Sequence, residues 1–145
     1  MLKIAISTAP QVGARWTLMK QCGVECAVGG ISLRPLPDAE PEEQPWSLSS
    51  LAKAKAAYEA GGIPLEVIES RPPMEKIKLG LPGRDEEIEN VIESVKVAGR
   101  LEISVVEYNW YAHRIIEGYS YVEGRGGSEY HAFDYESIKD LPPLP

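Results

Sequence analysis

Two pairs of residues have the types and spacing to hold a polyhydroxylated ligand. Glu69 and Ser70 close the apolar run that begins at Leu65, and Asn109 and His113 follow the β-rich run Glu102–Glu107. A carboxylate and an amide at the ends of adjacent strands accept and donate hydrogen bonds in fixed directions, which suits sugar hydroxyls. His113, a few residues past a strand end, is within reach of such a ligand, although a lone surface histidine is the commoner outcome. Glu69 equally suits an ordinary ion pair with Arg71. The same position, just beyond the C-terminal ends of parallel strands, also selects Ser7 with Thr8, Gly29 with Gly30, Arg71, and Tyr108 with Trp110.

Other residues with chemical potential read more plainly. His131 falls in a β-rich run near the end of the chain. The aromatics Tyr108, Trp110, Tyr111, Tyr119, Tyr121 and Tyr130 suit a sugar-stacking surface and suit hairpin packing as well. The Glu123–Gly127 run follows no strand-to-helix pattern and lacks the lysine of a phosphate loop, so it reads as a turn. Cys22 and Cys26 are too few for a disulfide framework, and with no histidine nearby they read as buried structural thiols in a reducing cytoplasm. No metal site is expected from them.

These residues need a scaffold that brings strand ends together. Short β-rich runs at Lys3–Ser7, Val24–Val28, Leu65–Glu69 and Glu102–Glu107 alternate with helical patterns at Val12–Cys22, Leu48–Ala60 and Glu86–Ala98. That alternation predicts a parallel sheet with strands in sequence order and helices on one face. Gly23, Gly61 and Gly99 are evenly spaced and each stands where a helix should close. Asp85 is the expected cap of the third helix, and Ile88, Val91, Ile92 and Val95 form the stripe expected to face the sheet. Pro35, Pro37, Pro41 and Pro45 mark Arg34–Pro45 as an ordered loop at best. From Tyr111 the rhythm stops, and Tyr119–Val122 and Tyr130–Phe133 are expected to pair across Gly124–Gly127 as a hairpin. The chain therefore divides into a βα region over residues 1–110 and an extension over residues 111–145.

With 145 residues, a 43% hydrophobic fraction and a 26% charged fraction, the chain has the size and composition of one globular domain. A net charge of −7 argues against a nucleic-acid partner. No apolar run approaches the ~20 residues that span a bilayer, so no membrane role is expected. The start, with one lysine and then a short β-rich run, does not read as a secretory signal, which again favours the cytoplasm.

The strand ending Val67-Ile68-Glu69-Ser70, the run Lys78–Asp85, the Tyr108-Asn109-Trp110 end of the fourth strand and, more weakly, Ala132–Asp134 carry a resemblance to D-mannonate dehydratases. The resemblance implies a (β/α)8 TIM barrel, of which this chain supplies about four strands. It also implies loss of water from D-mannonate to give 2-keto-3-deoxygluconate, in hexuronate catabolism, with a divalent Mn2+ or Fe2+. The family's metal ligands, namely histidines, a cysteine and an aspartate, lie on later strands. Where many members have a histidine after the third strand, this chain reads Pro73-Met74-Glu75. The expectation is an N-terminal half-barrel that contributes contacts to a sugar acid through Glu69, Ser70, Asn109 and His113 and binds no metal alone. Two alternatives are a non-catalytic half-barrel that self-associates through its open sheet edge and a sugar isomerase or epimerase of the same barrel type.

Overall fold

The computed structural model describes residues 2–29, 32, 34–108, 110 and 118–142. The chain divides into two units, Met1–Asn109 and Trp110–Pro145.

In the first unit the described elements are β1 (Ala5–Thr8), α1 (Ala14–Gln21), β2 (Cys26–Gly29), α2 (Leu48–Ala60), β3 (Leu65–Ile68), α3 (Glu75–Leu79), α4 (Arg84–Arg100) and β4 (Val105–Val106). The four strands form one parallel sheet in the order β1-β2-β3-β4, as the βα alternation predicts. Trp16 and Met19 of α1, Leu51 and Tyr58 of α2, and Val97 and Ala98 of α4 share one core with Ala27, Leu65 and Ile68 of the sheet. The three long helices therefore lie on one face. Burying each large apolar side chain contributes about 1.5–3 kcal/mol, so this shared core is what holds the layers together.

The register contains an irregularity that decides where the chemistry points. β1 and β2 pair in step from Ala5–Cys26 to Thr8–Gly29. Between β2 and β3, however, Ala27 pairs with Leu65 and Val28 with Val67, leaving Glu66 as an extra residue. Strict alternation would put Leu65, Val67 and Glu69 on one face. The bulge instead buries Leu65 and Ile68 together beneath the helices and turns Glu66, Val67 and Glu69 to the opposite face.

Several local expectations need correction. Asp85 does not cap α4; the helix starts at Arg84 behind Gly83, whose φ of 87° is left-handed, and Asp85 lies in the first turn. Its carboxylate still favours the positive helix end. The stripe Ile88, Ile92 and Val95 is 38%, 46% and 49% exposed, while Glu87, Ser94, Val97 and Ala98 are buried. Small residues at Ser94 and Ala98 let α4 lie close to its neighbours. Glu87 is retained on that buried face because its carboxylate accepts a hydrogen bond from the Ile77 amide of α3, 3.1 Å away. On the flank beside the start of α2, Glu89, Asn90, Glu93 and Lys96 line a groove with Trp46 and Leu48. At 3.6 residues per turn, Ile88 and Val95 occupy the flank away from it.

Gly23 has the left-handed φ expected of a helix stop, 77°. Gly61 does not; Gly62 takes that role with a φ of 74°, and Glu102 takes it after α4, where Gly99 is still helical. Gly61 serves close approach instead. The Trp16 indole Nε1 donates to its carbonyl at 2.8 Å, and a Cβ at Gly61 would lie 2.7 Å from the Trp16 ring. Arg34–Pro45 is an ordered loop, with Gln44 donating to the carbonyls of Leu36 and Ala39 and accepting from the Leu36 amide.

In the second unit, β5 (Tyr119–Glu123) and β6 (Glu129–Phe133) pair antiparallel, as expected of a hairpin. Gly124–Gly127 is its turn, and the Gly124 amide donates to the Ser128 carbonyl at 2.6 Å. Cross-strand rings brace the pair: Tyr119 and Phe133 lie 5.1 Å apart, and Tyr121 meets His131 edge-on at 4.3 Å.

Candidate functional site

The bulge places two polar contacts on the sheet face away from the helices. Toward the N-terminal ends of the strands, Lys3 reaches over β2 to Glu66, with Nζ and Oε1 2.5 Å apart. Cys26 lies buried on the same face of β2, and this burial pushes its thiol upward from the ordinary range. The Glu66 carboxylate adds to that shift and Lys3 opposes it. The hydrogen bond to Glu66 in turn raises Lys3. This is a structural pair, set far from the strand ends where ligands meet parallel sheets.

At the C-terminal ends the arrangement is different. Ser7 Oγ donates to Glu69 Oε2 at 3.2 Å, a contact that passes over β2. The Glu69 amide is anchored to the Gly29 carbonyl at 3.2 Å, which fixes the backbone beneath the carboxylate. Arg15, in the first turn of α1, donates from Nη2 to the Ser7 carbonyl at 3.3 Å. The neighbouring Thr8 carbonyl accepts from the Tyr58 hydroxyl at 2.6 Å, and burial raises the Tyr58 phenol. Through Tyr58 and the adjacent Trp16 ring, 6.0 Å away, the end of β1 is tied to the core. Glu69 itself is exposed and Ser70 half-buried, and Pro72 is fully buried behind them. A carboxylate held this way presents an oxygen to solvent at the strand ends while its orientation is set from beneath.

Of the expected site residues, Glu69 and Ser70 are therefore at the strand ends, with Glu69 bonded to Ser7. Asn109, His113 and Gly30 lie outside the described residues. His131 is in the hairpin unit against Tyr121. Tyr108 and Trp110 are exposed. Cys26 is buried as expected, but Cys22 is exposed just past the end of α1. Among the described residues no group of three or more His, Cys, Asp or Glu side chains is placed to hold a metal ion. No helix among them is long and apolar enough to cross a membrane.

Ser7 and Glu69 stand out in the sequence separately, but their contact does not, because the bulge at Glu66 leaves no trace in the apolar pattern. Arg15 carried no signal at all; it reaches the site only because α1 begins beside the β1 end.

Residues 13–143 match the family model of D-mannonate dehydratase (UxuA). The chain belongs to the D-mannonate dehydratase family. It is 40% identical over 88 residues to mannonate dehydratase from Thermotoga petrophila, a match covering 61% of this chain and 23% of that protein. The mannonate dehydratase of Streptococcus equi subsp. zooepidemicus is 44% identical over 70 residues, covering 48% of this chain and 19% of that one. The matched part is thus less than a quarter of these relatives. The crystal structure of mannonate dehydratase from Streptococcus suis serotype 2 superposes with a TM-score of 0.73 at 25% identity, over 99% of this chain and 40% of that one. In the mannonate dehydratase family the four parallel βα strands described above are thus one part of a longer TIM-barrel chain.

Proposed function

We propose that this chain supplies sugar-acid contacts for a mannonate dehydratase-type hydro-lyase, with D-mannonate as substrate and 2-keto-3-deoxygluconate as product. The observation that carries the reading is the Ser7–Glu69 hydrogen bond at the C-terminal end of the sheet. Ser7 occupies one carboxylate oxygen, which orients the other toward a polyol hydroxyl and fixes which group accepts. Ser70, Asn109 and His113 belong to the same proposed set by their positions after β3 and β4.

The family resemblance also implies a divalent Mn2+ or Fe2+. The described residues do not fit one, since they bring no cluster of metal-binding side chains together. The proposal therefore assigns metal binding to residues other than these and derives no step through the ion. Two measurements test it. The purified chain, titrated with D-mannonate and followed by amide chemical shifts, should show perturbations around Ser7, Gly29 and Glu69 that Glu69→Gln weakens; binding unaffected by that substitution would remove Glu69 from the reading. The same chain with Mn2+ should form no 2-keto-3-deoxy acid. Product formation would overturn the division between substrate contacts and metal.

A second reading, self-association through the open sheet, is favoured by the exposed Ile4, Ile6 and Val105 at its two edges and by Ile88 and Val95 on the outer flank of α4. Since β1 and β4 run parallel, β4 of one copy can extend the sheet beside β1 of another. Sedimentation should show dimers that Ile6→Lys dissociates; a monomer at all concentrations rejects this reading.

A further inference from the structure

The proposed substrate is an anion, and a carboxylate-and-hydroxyl site accounts only for its hydroxyls. We infer that Arg15 is the residue that holds the carboxylate of the sugar acid and selects acids over neutral polyols. This rests on the proposed substrate class and extends it to a residue no motif marks.

The geometry assigns it as follows. Arg15 Nη2 donates to the Ser7 carbonyl at 3.3 Å, and Ser7 Oγ donates to Glu69 at 3.2 Å. One residue, Ser7, thus links the guanidinium to the carboxylate, so both charged groups stand at the same strand end. The bond to Ser7 is the one hydrogen bond of the guanidinium among the described residues, so its other N–H groups have no partner there. Among the described residues no carboxylate lies within ion-pair distance of Arg15, although the chain carries 22 acidic residues against 15 basic ones. Elsewhere on this unit Lys3 pairs with Glu66, Lys55 with Glu59 and Arg84 with Asp85. In an acidic chain a cation without an ion-pair partner among the described residues, standing at the strand ends, is available to an anionic ligand. A guanidinium is suited to that ligand, because its planar fork meets a carboxylate with two parallel hydrogen bonds.

The opposite signs also order the ligand. Glu69 repels a carboxylate and accepts from hydroxyls, whereas Arg15 attracts the carboxylate. The acid end of the chain is therefore directed toward α1 and the hydroxyls toward β3.

The test uses the 145-residue chain, 15N-labelled, titrated separately with D-mannonate and with D-mannitol, the uncharged polyol of the same carbon number. The wild type should bind mannonate about tenfold more tightly than mannitol, the scale of a hydrogen bond to a charged group. Arg15→Gln should bind both alike, and Arg15→Lys, which keeps the charge without the fork, should retain part of the preference. Glu69→Gln should weaken mannitol binding while leaving Arg15 to favour the acid. Arg15→Gln keeping the full preference, with an unchanged amide spectrum, overturns the assignment, and so does a wild type that binds both ligands equally. Loss of the preference on Arg15→Gln combined with no effect of Glu69→Gln upholds Arg15 and rejects the Glu69 reading. No binding of either ligand to the wild type rejects both.

Discussion

The sheet unit and the hairpin unit solve the same problem in opposite ways. In the first, helices and strands contribute to one buried core, and the Ser7–Glu69 contact sits on the face that core does not use. In the second, no residue of β5 or β6 is buried; ring pairs across the strands and a glycine turn supply the order. A two-stranded hairpin is only marginally stable by itself. The difference shows that a polar site needs a scaffold whose stability comes from elsewhere. Ser7, Arg15 and Glu69 can be arranged for binding because Tyr58, Trp16 and Leu65 fix the backbone beneath them.

That contrast is broken most directly through Leu51, which is fully buried in the shared core. Leu51→Ala should cost about 2–5 kcal/mol, seen as a lower urea midpoint by tryptophan fluorescence, with the amide signals of the hairpin unit little changed. An effect below about 0.5 kcal/mol would mean the core is not the source of stability. Gly61→Ala comes next. Its new methyl would overlap Trp16, and the ring cannot move without loosening its bond to the Gly61 carbonyl. A loss of about 1–3 kcal/mol is expected, typical of overpacking. A neutral result would show that the Gly61–Trp16 contact relaxes freely.

A smaller and pH-dependent effect follows from Cys26 and Tyr58. Burial raises both above their ordinary values of 9.0 and 10.0, with Glu66 adding to the shift at Cys26 and Lys3 opposing it. The folded sheet unit therefore holds these protons more tightly than the unfolded chain. This stability is fully present below about pH 9 and is lost as pH rises through the folded-state values. The urea midpoint should fall on the alkaline side, and less steeply in Cys26→Ala and Tyr58→Phe. Parallel alkaline curves for wild type and both variants would assign the loss to the chain's general negative charge instead.

The sequence made the architecture legible because apolar β-runs and helix patterns alternate from Lys3 to Glu107 around the proline-rich loop Arg34–Pro45, although the short α3 was not among them, and the hairpin because aromatic runs flank a glycine turn. Three details stayed hidden for one reason: each depends on how layers fit. The apolar stripe of α4 is present in the sequence, but the small side chains of Ser94 and Ala98 decide which face comes closest. Gly61 closes α2 as the sequence suggests, but its second role, the close approach of Trp16, shows only when the layers are assembled. Glu69 stood out as a strand-end residue, but its contact with Ser7 did not, because that depends on the extra residue at Glu66. Arg15 was invisible because its role comes from the start of α1 lying beside Ser7.

The smallest expected effect belongs to the hairpin, and it runs the other way. Glu123 and Glu129 are paired directly across β5 and β6, at the end nearest the turn. Like charges facing each other across antiparallel strands destabilise the pair, whereas opposite charges contribute roughly 0.2–1 kcal/mol. With no buried core in these strands, that term is a large share of what holds them. Glu129→Lys should therefore slow amide exchange at Ser120 and Val122 by roughly two- to fivefold, the rate equivalent of that energy. The same charge reversal at Glu89, on the exposed side of α4, should leave the sheet unit's exchange unchanged, because a core-bound helix does not depend on a single surface charge. Faster exchange in Glu129→Lys, or equal sensitivity at both positions, would show that the hairpin draws its order from something other than its own cross-strand pairs.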